Sequence, residues 1–222
     1  MNASKQEKRQ RGRPPRISRQ KIVDAVLQDP GDLTLLSVAN KLGTTPQALY
    51  HYFAGQSELM EVVFRKLLKH RDATDFAGRT WTESAIALGL TMQKVYGAVP
   101  GLADYAVRTP FKERALYERW ERLQEIGVAE GFDPLKAFWA TRAISEFVHG
   151  WYSREHRRSL GRKEGEADEF EIFEELAAKP GPAMPLTENG FEAERPSAQD
   201  RFEFTLAALV HGLAAAARTP SG

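Results

Sequence analysis

A chain of 222 residues with 42% apolar and 10% aromatic side chains has room for one or two domains and a sizeable core. It holds no cysteine, which excludes disulfides, thiolate nucleophiles and Cys-based zinc sites, and no apolar run reaches membrane-spanning length. The basic start runs straight into polar residues, so no secretory leader is expected and the cytoplasm is the expected compartment. The formal charge of +1 conceals a division: residues 1–71 carry 13 Lys and Arg against 6 Asp and Glu, and residues 72–222 carry 18 against 24. A basic end favours phosphates through counterion release, and an acidic remainder stays off them.

In chain order, residues 1–16 carry Lys5, Lys8, Arg9, Arg11, Arg13 and Arg16 with almost nothing apolar, and are expected to be a disordered basic arm. Within them Arg11-Gly12-Arg13-Pro14 resembles the core of an AT-hook. Gly12 would let the backbone sit deep in a narrow minor groove while Arg11 and Arg13 follow its potential; the alternative is an arm that touches phosphates only. Ser18 then caps a helix with Ile22, Ala25 and Val26 inward and an Ile17/Ile22 staple, ended by Pro30-Gly31.

Residues 33–53 read as two short helices hinged at Gly43. Thr34 caps the first, with Leu33 and Val38 as its staple; Thr45 caps the second, with Pro46 at its first position, where a missing amide costs nothing. A fourth helix follows, with Gly55 as cap, Glu58 at its third position and Leu59, Val62, Val63 and Leu67 inward. The expectation is a helix-turn-helix DNA-binding bundle over residues 17–70.

The remainder, 71–222, reads as a larger helical domain. Helices are predicted over 82–96, 102–108, 111–130 and 134–155 from apolar residues recurring at helical spacing, with breaks at Pro100-Gly101 and Gly131. An acidic connector of about 161–197, helical only over 170–178, leads to a last helix over 198–217. Two helices carry a His-Gly pair in an apolar face, His149-Gly150 and His211-Gly212. A mid-helix glycine costs about 1 kcal/mol against alanine unless another backbone comes close, as in an interface between copies or in a close contact inside one subunit.

Leu42-Gly43, Thr45, Ala48-Leu49-Tyr50-His51-Tyr52-Phe53 and Glu58-Leu59-Met60 together resemble the DNA-binding domain of the TetR family. Residues 143–150 and 202–213 are similar to the two dimerising helices of the tetracycline-repressor-type regulatory domain. The resemblance implies an all-α homodimer, without cofactor or metal, that regulates transcription from a palindromic DNA operator, as a repressor released by a small-molecule effector. It implies that Thr45, Gln47, Ala48 and His51 read bases in the major groove, and that Thr34, Tyr50 and Tyr52 hold phosphates. Gln56 stands where family members usually have a lysine, so a phosphate contact there loses its charge. Phe147, Gly150, Phe202, Leu206, Leu209, Val210, Gly212 and Leu213 are the expected dimer interface.

Coupling of a ligand to DNA affinity needs a pocket. Met92, Tyr96, Tyr105, Trp120, Trp139 and Trp151 are candidates to line it, with Arg108 and His149 as polar contacts, and such a lining favours a planar or hydrophobic effector. Two other classes fit parts of the sequence. A non-specific A·T-tract architectural binder would lean on the Arg11–Arg13 arm. A helical metal enzyme is suggested by Glu146-x-x-His149, but a di-iron bundle needs a second Glu-x-x-His and the sequence has none; no catalytic residue is assigned, and an enzyme is not expected.

Overall fold

The computed structural model describes residues 17–30, 33–69, 76–159, 169–179, 181–193 and 198–218. The expected basic arm with Arg11, Gly12 and Arg13 lies outside the described residues, as do 161–168, 180 and 194–197 of the acidic connector. Eleven helices occur among the described residues, and the only extended pairing there is an isolated antiparallel bridge between Phe132 and Arg218. The fold is all-α. The chain divides into two compact units, residues 1–59 and 60–222.

The first unit is built from α1 (Arg19–Gln28), α2 (Leu35–Lys41), α3 (Pro46–Leu49) and the start of α4 (Gln56–Lys69). Each of the first three begins on a hydroxyl that accepts an orphan amide: Ser18 from Lys21, Thr34 from Ser37 and Thr45 from Ala48. Gly43 turns the chain at φ 59°, left-handed backbone that glycine takes without strain. The inward faces bury Ile22, Val23, Val26, Leu33, Leu35, Val38, Ala39, Leu49, Phe53 and Leu59. Val23 is inward where Ala25 was expected, because α1 presents the 22–23–26 edge to α2.

The second unit contains α5 (Trp81–Ala98), α6 (Leu102–Arg108), α7 (Arg114–Ala129), α8 (Pro134–Ser159), α9 (Glu169–Ala177), α10 (Pro185–Ala193) and α11 (Ala198–Ala217). Thr80 and Glu83 form a complete capping box for α5. Gly101 breaks the chain at φ 81° between α5 and α6. Helix α8 is central and packs on α5, α6, α7 and α11, while α5 also packs on α11. The close approach of α5 and α11 occurs at Gly89, where an added Cβ would lie 2.7 Å from the Leu206 methyls.

Several expectations are corrected here. The acidic connector contains a second helix, α10, which its Pro185 start and Gly190 concealed. In the first two turns of α8 the inward residues are small (Ala137, Ala140, Thr141), and the large Phe138 and Trp139 stand 43% and 57% exposed, while Ile144 and Val148 further along are buried as expected. Phe202, Leu206 and Val210, expected to face a second copy, are buried within the single chain: they form the i, i+4, i+8 stripe by which α11 joins its own core.

Candidate DNA-reading helix and regulatory core

In the first unit, α3 sits one residue after the Thr45 cap and roots itself through Leu49, which is fully buried. Its other side is open: Thr45, Gln47, Tyr50 and His51 are exposed and Ala48 half-buried. The expected base-reading residues thus share one accessible segment. Thr34 and Gln56, at the starts of α2 and α4, are also exposed. Tyr52 differs. Its hydroxyl donates to the Ile17 carbonyl at 2.9 Å, so the single phenolic proton is committed inside the unit and is not available to a phosphate oxygen.

Arg19 completes this local network and was not singled out in the sequence. Its guanidinium donates to the Tyr52 carbonyl at 3.0 Å, pairs with Glu58 and lies 4.6 Å from the Phe53 ring centroid. The Glu58 carboxylate also accepts from Ala54 N–H at 2.6 Å, and this bond, ahead of Arg19, holds its pKa below the usual carboxylate range. Glu58 and its capping position were legible; its partner 39 residues away carries no local signal.

In the second unit an aromatic series runs through the core. Tyr105 tilts on Phe111, Phe111 stacks on Phe64 at 3.7 Å, and Phe64 continues to Tyr96. Tyr96 meets His149 edge-on and also Tyr152, and Tyr152 leads to Phe202, which packs on Phe147 and Trp151. The Tyr96 hydroxyl and His149 Nε2 are 2.6 Å apart. Burial raises the Tyr96 phenol well above its ordinary range and pushes His149 down to about 4, so both groups are neutral at pH 7 and share one hydrogen bond.

Of the expected pocket residues, the fold gathers Tyr96, Tyr105, His149 and Trp151 along this series. Met92 lies buried on the same helix as Tyr96, with its sulfur 4.0 Å from the Ser145 hydroxyl. Trp120 stands apart, edge-on to Tyr117. Arg108 and Trp139 are corrections: both are exposed, and Arg108 donates to Asp104 O on its own helix. Sequence reasoning missed Phe64, Phe111 and Tyr152, since only the packing of separate helices brings them together. Among the described residues no group of three or more His, Asp or Glu is placed to hold a metal, and no helix is long and apolar enough to cross a membrane.

Residues 76–217 match the family model of the tetracyclin repressor-like C-terminal domain. The chain belongs to the TetR family. Comparison with curated proteins gives no match. Among solved structures, a possible TetR family regulator from Streptomyces coelicolor A3(2) is 21% identical, with 90% of this chain and 100% of that one covered and a TM-score of 0.71. Apo ActR from S. coelicolor is 21% identical over 90% and 98% of the two chains, TM-score 0.66. A TetR variant from Acinetobacter baumannii AYE in complex with minocycline is 18% identical over 91% and 99%, TM-score 0.63. At these identities the likeness is one of fold. As a TetR-family member the chain is a DNA-binding transcriptional regulator, and the matched tetracyclin repressor-like domain lies in the second unit.

Proposed function

We propose that this TetR-family chain acts as a homodimeric repressor that reads a palindromic operator and is released by a small apolar or planar effector. The observation that carries the DNA reading is the exposure of Gln47, Tyr50 and His51 around a helix fixed from behind by Leu49 and from the front by the Thr45 cap. In this reading Gln47 addresses adenine, Ala48 packs on a thymine methyl, His51 donates to guanine or phosphate, and Thr34 and Tyr50 hold phosphates.

Dimerisation would use the outward faces of α8 and α11, where Leu135, Phe138, Trp139 and Phe204 are exposed. Gly150 and Gly212 lie on those faces with none of the described residues of their own chain within 4 Å of an added Cβ, so close approach among the described residues does not account for either glycine. The effector would engage the aromatic series around Tyr96 and His149. A ligand that separates this pair shifts the positions of α5 and α8, and it alters DNA affinity only in so far as it favours one spacing of the two reading heads. A TetR variant of similar fold in complex with minocycline supports a small-molecule effector by likeness of fold.

Selection of bound duplexes from a random library at near-physiological salt tests the reading. An enriched inverted repeat is expected, with half-sites about one helical turn, roughly 34 Å, apart. Enrichment of A·T tracts without symmetry would overturn it in favour of an architectural binder.

A further inference from the structure

Four hydroxyls on α5, α8 and α11 bond back to their own helix: Thr91, Thr141, Ser145 and Thr205 each donate to the carbonyl four residues earlier, at 2.8 to 3.3 Å. Ser153, late in α8, does not. It is 3% exposed, and among the described residues its hydroxyl has no partner. A buried hydroxyl left unpaired carries a desolvation cost that neither its own helix nor a neighbour offsets. Ser84 is the other such serine, and it lies twelve residues before Tyr96 along α5, about 18 Å away. Ser153 stands between two engaged side chains. His149, four residues before it, and His156, three after, share its face of α8, about 6 and 4.5 Å along the axis. His149 Nε2 meets the Tyr96 hydroxyl of α5 at 2.6 Å. His156 Nε2 lies 3.9 Å from Asp104 Oδ2 of α6 and packs on Gly101, where an added Cβ would come within 3.2 Å of it. The unsatisfied hydroxyl thus falls in the middle of a polar row, one turn from the Tyr96–His149 pair.

We infer that Ser153 and the Tyr96–His149 pair bind the effector through its hydroxyl groups, which makes that effector an uncharged hydroxylated aromatic. The inference rests on the reading that the effector engages the core around Tyr96 and His149. In whichever direction the hydrogen bond of that pair runs, one member offers a proton and the other a lone pair. A group inserted between them must accept from the first and donate to the second. A hydroxyl does both. A ketone, an ether or a carboxylate accepts only, and strands the second member in a core where an unpaired polar atom is costly. Ser153, with its proton and lone pairs uncommitted, supplies a second contact of the same kind about 6 Å along the helix. The rings of Tyr96, Tyr105 and Tyr152, which belong to the aromatic series, suit a flat body that carries those hydroxyls.

The test uses the full-length chain with Ser153→Ala and Tyr96→Phe. The probes are naphthoresorcinol and its dimethyl ether, the same ring with no proton to donate. Affinities come from calorimetry, and Overhauser contacts between the bound ring and Tyr96 locate the site independently of the hydroxyls. The parent is expected to bind the diol at least about tenfold more tightly than the ether, and each substitution to reduce that preference about fivefold, the scale of one net hydrogen bond. Free Ser153→Ala is expected to melt no lower than the parent, because it removes a hydroxyl that its own chain does not use. Equal affinities for the two probes with contacts to Tyr96 present, or a preference untouched by Ser153→Ala, overturn the hydroxyl class and leave the effector site in place. A lower melting midpoint of free Ser153→Ala overturns the role of Ser153 in favour of a structural one. Binding without contacts to Tyr96, or binding of neither probe, overturns the effector site and the inference with it.

Discussion

Tyr96 and His149 hold one hydrogen bond between two uncharged groups in the regulatory core, and the cost of keeping them uncharged is readable as pH dependence. The folded pKa of His149, about 4, lies below its ordinary value of 6.5 because burial disfavours the imidazolium, with Glu146 pulling weakly the other way. Between those two values the unfolded chain binds a proton that the folded chain refuses, so stability falls as pH drops through that window and is level above it. His149→Gln keeps a polar partner for Tyr96 without titrating. The expected outcome is a melting midpoint that declines less between pH 6.5 and 4 than in the parent; an unchanged decline would place the sensitivity elsewhere. His149 stood out in the sequence as a polar residue in an apolar helix face. Tyr96, 53 residues away, stood out as pocket lining, but their hydrogen bond did not, since nothing local to either residue encodes their meeting.

Helix starts were the most legible elements because a cap is a local transaction. Ser18, Thr34 and Thr45 each accept an amide three residues on. Thr45→Ala is expected to cost about 1 kcal/mol in urea unfolding, and Thr45→Ser to restore most of it. Helix faces were less legible: α8 carries apolar residues on more than one side, and spacing alone did not say that Ala137 and Ala140 go in while Phe138 and Trp139 stay out. The packing of α5 on α11 decides a third feature. At Gly89 alanine would gain about 1 kcal/mol of helix propensity but would press on Leu206 at 2.7 Å, an overpacking cost of about 1–3 kcal/mol. Gly89→Ala is therefore expected to lose stability on balance in urea unfolding, and Gly89→Ala with Leu206→Val to recover part of the loss. A plain gain from Gly89→Ala would mean that the two helices separate easily.

At the scale of the molecule, the proposed dimer makes opposite demands on two kinds of glycine. Gly89 is hemmed in by Leu206 of its own chain, whereas among the described residues nothing crowds Gly150 or Gly212. Gly212→Leu is expected to leave the secondary structure of a single chain intact and to weaken self-association at least tenfold in sedimentation velocity; Trp139→Glu, which buries a charge only if that exposed indole meets a partner, is expected to do the same. Sedimentation of either variant as a dimer at parental concentrations would move the interface to another face. The sequence by itself determined the helical class, the capped helix-turn-helix and the segregation of charge, because capping, turn chemistry and composition act over a few residues or over none. Only the tertiary structure decided that Tyr52 serves Ile17, that Tyr96 meets His149, that Phe202, Leu206 and Val210 turn inward, and that Trp139 faces out. Each depends on which helix side meets which neighbour, and that is set by the packing of residues far apart in the chain.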